Sequence, residues 1–123
     1  MVFTVLLRVL CGADIPRSVM AGPGLRIAHG GSGLVVHPKV RLGAGCVLYQ
    51  AVTLGVSGRS MDAPTLDDRV YVGAGAVVLG GVKLGFRSRI GANAVVRADV
   101  APYSTAVGTE GRIIVRAEPA EWD

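Results

Sequence analysis

Residues 66–96, written in sixes, read LDDRVY, VGAGAV, VLGGVK, LGFRSR, IGANAV and V. Every block opens on an aliphatic: Leu66, Val72, Val78, Leu84, Ile90 and Val96, with Pro102 next in line. Four residues after each comes a small or β-branched residue: Val70, Ala76, Val82, Ser88, Ala94 and Val100. The period continues upstream at Val36, Leu42, Leu48 and Leu54, with Cys46 and Val52 in the small column. A third block holds Ile15, Ala21 and Ile27. A period of six matches neither the 3.6 of a helix nor the plain alternation of a two-faced sheet. It fits a triangular coil in which each hexapeptide supplies one short flat strand and one turn, and three complete a circuit. Aliphatics then point into the prism, and successive coils pair as parallel strands about 4.8 Å apart. Each coil buries its apolar face only against its neighbours, and about five fit between Ile15 and Val107. Glycine follows the aliphatic at Gly73, Gly85 and Gly91. The expectation is that it eases the turn by accepting positive φ.

The column breaks twice. Between Ile27 and Val36 it gains three residues, around His29-Gly30-Gly31-Ser32-Gly33. Between Leu54 and Leu66 the count is kept, but position 60 has no aliphatic, so residues 56–64 read as a loop leaving the prism. Irregular excursions from a regular scaffold commonly carry function. The expected organisation is an apolar segment at 1–11 (short helix or strand), a β-helix domain at 12–115 and a tail at 116–123.

The 123 residues leave room for one domain. Half the chain is hydrophobic but only 5% aromatic, so the core is built from Val, Leu, Ile and Ala. Eighteen glycines without collagen register point again to a repeat. A net charge of +4, with scattered arginines and no interleaved aromatics, speaks against nucleic acid. It suits phosphorylated small molecules. Val2 to Cys11 is too short to span a membrane, and Arg8 interrupts it. Two cysteines make neither a disulfide framework nor a metal set, so a reduced, cytoplasmic setting is expected and Cys46 is a core residue.

Three ordered motifs carry a resemblance. They are Asp14-Ile15-Pro16, Ile27-Ala28-His29-Gly30-Gly31 and Tyr49-Gln50-Ala51-Val52-Thr53-Leu54-Gly55. Val72 to Ala76, Ile90 to Val96, and Gly108 to Ile113 follow in the expected order. The chain from Gly12 to Val115 resembles the serine acetyltransferase group of hexapeptide acyltransferases. The resemblance implies a left-handed parallel β-helix, an all-β fold, with acetyl-CoA as acetyl donor; the exposed Val, Ala and Gly positions on one flat face of the prism call for a homotrimer. The resemblance also implies that His29 is the general base and that Asp14 orients it. Acetyl-CoA would lie in a groove between subunits, past Gly73, Ala74, Gly91 and Ala92. Two positions differ from what the family implies. Ala28 stands where an aspartate holds the substrate amine. Met61-Asp62-Ala63-Pro64 stands where an Arg-His pair holds its carboxylate. The expectation is therefore a poor fit for L-serine and an acceptor such as a sugar hydroxyl or small metabolite.

Moving an acetyl group from a thioester to an alcohol needs a base for the hydroxyl proton and donors for the oxyanion. An unperturbed imidazole titrates near pH 6.5, close to working pH, and such a base contributes roughly 10²–10⁴ in rate. Backbone N–H groups from Gly55, through Ser57, to Gly58 are candidate oxyanion or cofactor contacts. Arg87, Arg89 and Arg112 are candidates for the cofactor's phosphates. His37 precedes Pro38 at a turn and has no assigned role. Two histidines are too few for the three-His zinc site of a γ-class carbonic anhydrase, so no metal is expected. Serine O-acetyltransfer proper and a non-catalytic β-helix scaffold stay open as alternatives.

Overall fold

The computed structural model describes residues 12–108 and 110–115. The segment expected at 1–11 and the tail at 116–123 lie outside the described residues. Among the described residues, thirteen strands, β1 to β13, of two or three residues each, wind through three parallel sheets. The first face stacks β1 (Met20–Ala21), β4 (Arg41–Leu42), β7 (Thr65–Leu66) and β10 (Lys83–Leu84). The second stacks β2 (Arg26–Ile27), β5 (Val47–Leu48), β8 (Tyr71–Val72), β11 (Arg89–Ile90) and β13 (Thr105–Ala106). The third stacks β3 (Val35–Val36), β6 (Thr53–Gly55), β9 (Val77–Leu79) and β12 (Val95–Val96). The chain is a left-handed parallel β-helix. With the bridges of Asp14 to Val35 and of Val100 to Leu84, each face carries five rungs, in line with the expected five coils.

Register follows the aliphatic column. Leu42 pairs with Leu66 and Leu66 with Leu84, and Leu48 pairs with Val72 and Val72 with Ile90. Both columns are buried from Val36 to Val96, the small one through Val40, Cys46, Val52, Val70, Ala76, Val82, Ser88 and Ala94. Cys46 is a core thiol whose Sγ donates to the Asp67 carbonyl at 3.2 Å. Burial, the largest cause, raises its pKa. In the first coil, Ala21 and Ile27 keep the register but stay exposed, because no described coil stacks beneath them.

Three expectations need correction. Gly73, Gly85 and Gly91 are absent from the positive-φ residues. They are glycine because the next coil stacks directly on them. A Cβ on Gly73 would meet the Ala92 nitrogen at 2.9 Å, and one on Gly85 the Pro102 nitrogen at 2.5 Å. The left-handed turn positions fall elsewhere, at Gly33, Ala51, Gly75 and Asn93 along one corner and Gly45, Arg69, Arg87 and Tyr103 along another. There, amides bond carbonyls one coil below, as in Ala51 to Ser32 at 2.7 Å and Asn93 to Ala74 at 2.9 Å.

Pro102 does not continue the inward column; it is exposed. The last coil is short, so Val100 bridges Leu84 and Ala106 pairs with Ile90. The excursion ends one residue earlier than expected. Pro64 is fully buried, and its carbonyl accepts the Arg41 amide at 3.2 Å. Beyond β13, residues 110–115 carry no strand and are exposed.

Candidate active site

His29 sits in the corner between β2 and β3, where the three extra residues fold into a 3₁₀ turn, Ala28–Gly31. Its backbone is left-handed (φ 54°, ψ 35°), and Gly30 and Gly31 follow at φ 68°. Three consecutive left-handed residues throw the chain outward, a conformation a non-glycine residue adopts only at a cost. Gly31 is buried, and a Cβ there would meet the Ile27 side chain at 2.9 Å. The turn thus needs glycine at 31 to hold the imidazole out at its solvent-exposed position.

From His29 a ladder of rings runs along the second face. The imidazole lies 5.9 Å from the Tyr49 ring, Tyr49 lies 5.1 Å from Tyr71, and the Arg89 guanidinium sits 4.5 Å over Tyr71. Hydrogen bonding with Tyr49 is the largest cause raising the Tyr71 pKa, and burial adds to it. These groups line a groove of about 430 Å³ together with Gln50 and, at the coil corners, Gly73, Ala74, Gly91 and Ala92. It reaches Thr105 on the last strand, four coil steps or about 20 Å along the prism. Small residues leave its floor open to a long flexible ligand, and Arg89 supplies a cation along it. The residues fit a coenzyme A thioester in size and charge. The Gln50 Oε1 is buried without a hydrogen-bond partner.

The structure therefore brings His29, Gly73, Ala74, Arg89, Gly91 and Ala92 to one groove. Asp14 is not among the residues lining that groove. Its backbone bridges Val35, donating to Leu34 at 2.6 Å and accepting from Val36 at 2.9 Å. Gly55 and Ser57 lie elsewhere in the same chain, at the opposite edge of the third face, where β6 meets the excursion. Arg112 is exposed beyond the last strand, and Arg87 faces Phe86 at another corner. His37 is half-buried, its Nδ1 accepting the Lys39 amide at 3.1 Å, a turn-closing contact. Sequence reasoning missed Tyr71. The available signal was its place on the same strand position as Arg89, one 18-residue coil earlier.

No family model matches the chain. The serine acetyltransferase of Mycobacterium tuberculosis is 42% identical over 115 residues, which are 92% of this chain and 50% of that protein. Among solved structures, serine acetyltransferase isoform 3 of Entamoeba histolytica, in complex with cysteine, superposes with a TM-score of 0.83 at 30% identity. That match covers 97% of this chain and 43% of the other. The serine acetyltransferase of Brucella abortus in complex with coenzyme A gives 0.75 at 34% identity, covering 83% and 41%. The chain spans about half the length of the first curated relatives it matches. These relatives are named for serine, so they lend no support to the expectation that the chain departs from serine acetyltransferases.

Proposed function

The chain is a hexapeptide-repeat β-helix of the serine acetyltransferase type, and on that footing we propose that it transfers acetyl from acetyl-CoA to an acceptor hydroxyl. The observation carrying this reading is His29, held out on a left-handed turn at the head of a groove floored by small residues. Acetyl-CoA supplies the activated acyl group as a thioester. His29 takes the proton from the acceptor's hydroxyl as that oxygen attacks, and returns it to the departing thiolate. Asp14 holds the imidazole's tautomer from the adjoining coil. Arg89, with Gly73, Ala74, Gly91 and Ala92, holds the cofactor along the groove. Arg112 is assigned to the same ligand. A cytoplasmic setting belongs to the same proposal, on the ground of a free, buried Cys46.

The working unit is a homotrimer closed through the third face. Its outward column is Val35, Thr53, Val77 and Val95, without a charge, whereas the first face presents Arg41 and Lys83 and the second Arg26 and Arg89. Val35 and Val95 are 42% and 64% exposed, apolar surface that a cyclic assembly would cover. Such an interface is heterologous, so one edge of this face meets the other edge on the next copy. Gly55 and Ser57 then approach the neighbour's His29 groove.

L-serine is the acceptor the relatives favour. Ala28 and Ala63 favour a second reading, a neutral hydroxyl such as a sugar's, since neither can pair with an ammonium or a carboxylate. Coenzyme A release with acetyl-CoA and a panel of L-serine, other small alcohols and sugars tests the proposal. Acceptor-dependent release with L-serine leading is expected. Release with no acceptor on the panel would overturn the acetyltransferase reading.

A further inference from the structure

Tyr71 has no part in the chemistry proposed above, yet it stands midway along the His29 groove. The register of β8 and β11 pairs Tyr71 with Arg89, so their side chains leave the second face one above the other. Val47 holds the rung on one side of this pair and Thr105 the rung on the other, and neither carries a charge. The Arg89 guanidinium lies 4.5 Å over the Tyr71 ring, a cation–π contact. The Tyr71 ring is braced in turn by Tyr49, 5.1 Å away. Arg89 is exposed, and a free arginine side chain is among the costliest to order. Among the described residues that line the groove, Arg89 is the one arginine or lysine, and none is a carboxylate. A ring face thus holds this cation without neutralising it, as a carboxylate would.

We infer that Tyr71 is a positioning residue, one that fixes the Arg89 guanidinium along the groove where it meets the diphosphate of the coenzyme A moiety. This rests on the acetyltransferase reading above. Arg89 stands three coil steps from His29, about 14 Å along the prism. The pantetheine arm of coenzyme A spans a comparable distance from its sulfur to its diphosphate. A planar guanidinium takes two phosphate oxygens through parallel N–H donors, a geometry that a wandering side chain would have to find anew at each encounter. Holding it in place beforehand removes an ordering cost that binding would otherwise carry. Tyr71 acts through the arginine; it touches no reacting atom and moves no proton.

Calorimetric titration of the full chain with coenzyme A tests the inference on five proteins: parent, Arg89→Gln, Tyr71→Leu, Tyr71→Phe, and the double variant of Arg89→Gln with Tyr71→Leu. Arg89→Gln is expected to weaken binding about ten-fold. Tyr71→Leu should weaken it about five-fold by freeing the guanidinium. Tyr71→Phe keeps the ring face and should recover most of that loss. The double variant should bind no more weakly than Arg89→Gln alone, because the ring works only through the arginine. Damage to the scaffold would instead add to the Arg89→Gln loss, so additive losses overturn the inference. So does a Tyr71→Leu that binds like the parent, or a Tyr71→Phe as weak as Tyr71→Leu. Dephospho-coenzyme A, which lacks the 3′-phosphate, should show the same set of losses. Losses seen with coenzyme A alone would move Arg89 to the 3′-phosphate and overturn the diphosphate assignment. In all these cases a parent that binds coenzyme A keeps the acetyltransferase reading; a parent that does not bind it sinks both.

Discussion

Two kinds of glycine hold this prism together, and they obey different physics. Gly33, Gly45 and Gly75 accept left-handed turns that Ala51, Arg69, Arg87 and Asn93 also manage elsewhere. Gly73 and Gly91 have ordinary backbone angles and are instead closed in by the coil above. Gly73→Ala should therefore cost roughly 1–3 kcal/mol, by overpacking against backbone that cannot yield. Ser88 is the opposite case: its hydroxyl is fully buried without a partner. Ser88→Ala removes an unpaired polar group and should be neutral or stabilise by about 1 kcal/mol. Thermal denaturation of both variants checks the pair, and a destabilised Ser88→Ala would show that the hydroxyl is satisfied after all. The inward columns were legible from residue spacing alone, because a closed prism tolerates only apolar side chains there. Tyr71 was not, since an outward strand position tolerates almost anything and its ring partners come from other coils.

At the scale of the element, the sequence marked both excursions by a broken period. The first shifts register by three residues, so Ala21 pairs with Leu42, and the second by six, so Leu54 pairs with Val78. The size of each shift could be read from the chain, but where each excursion rejoins the prism could not. Pro64 is rigid and apolar, and nothing in its neighbours says that it returns to the core. Likewise the short last coil was hidden, because Val100 and Pro102 are both plausible column residues and only pairing with Leu84 decides. Deleting residues 57–62 restores an 18-residue coil. Closing so short a loop costs little entropy, so the fold should survive with a melting temperature within a few degrees of the parent's. Acetyl-CoA binding should persist, since none of residues 57–62 lines the His29 groove. A chain that fails to fold after this deletion would show that the excursion belongs to the scaffold.

For the whole molecule, the outward columns matter more than the inward ones. In the proposed trimer, the third face, whose strand column Val35, Thr53, Val77 and Val95 bears no charge, stands between two sets of candidate residues, His29 with Arg89 and Gly55 with Ser57. The parent should weigh about three times 12.7 kDa by light scattering, and Val77→Arg on that face should yield monomer with an intact fold. A monomeric parent would remove the shared site. The catalytic claim is tested most directly by His29→Ala, assayed for acceptor-dependent coenzyme A release beside His37→Ala. The account predicts a kcat lower by roughly 10²–10⁴ for His29→Ala, acetyl-CoA affinity little changed, and His37→Ala close to parent. Full turnover by His29→Ala on an acceptor that the parent acetylates would contradict it.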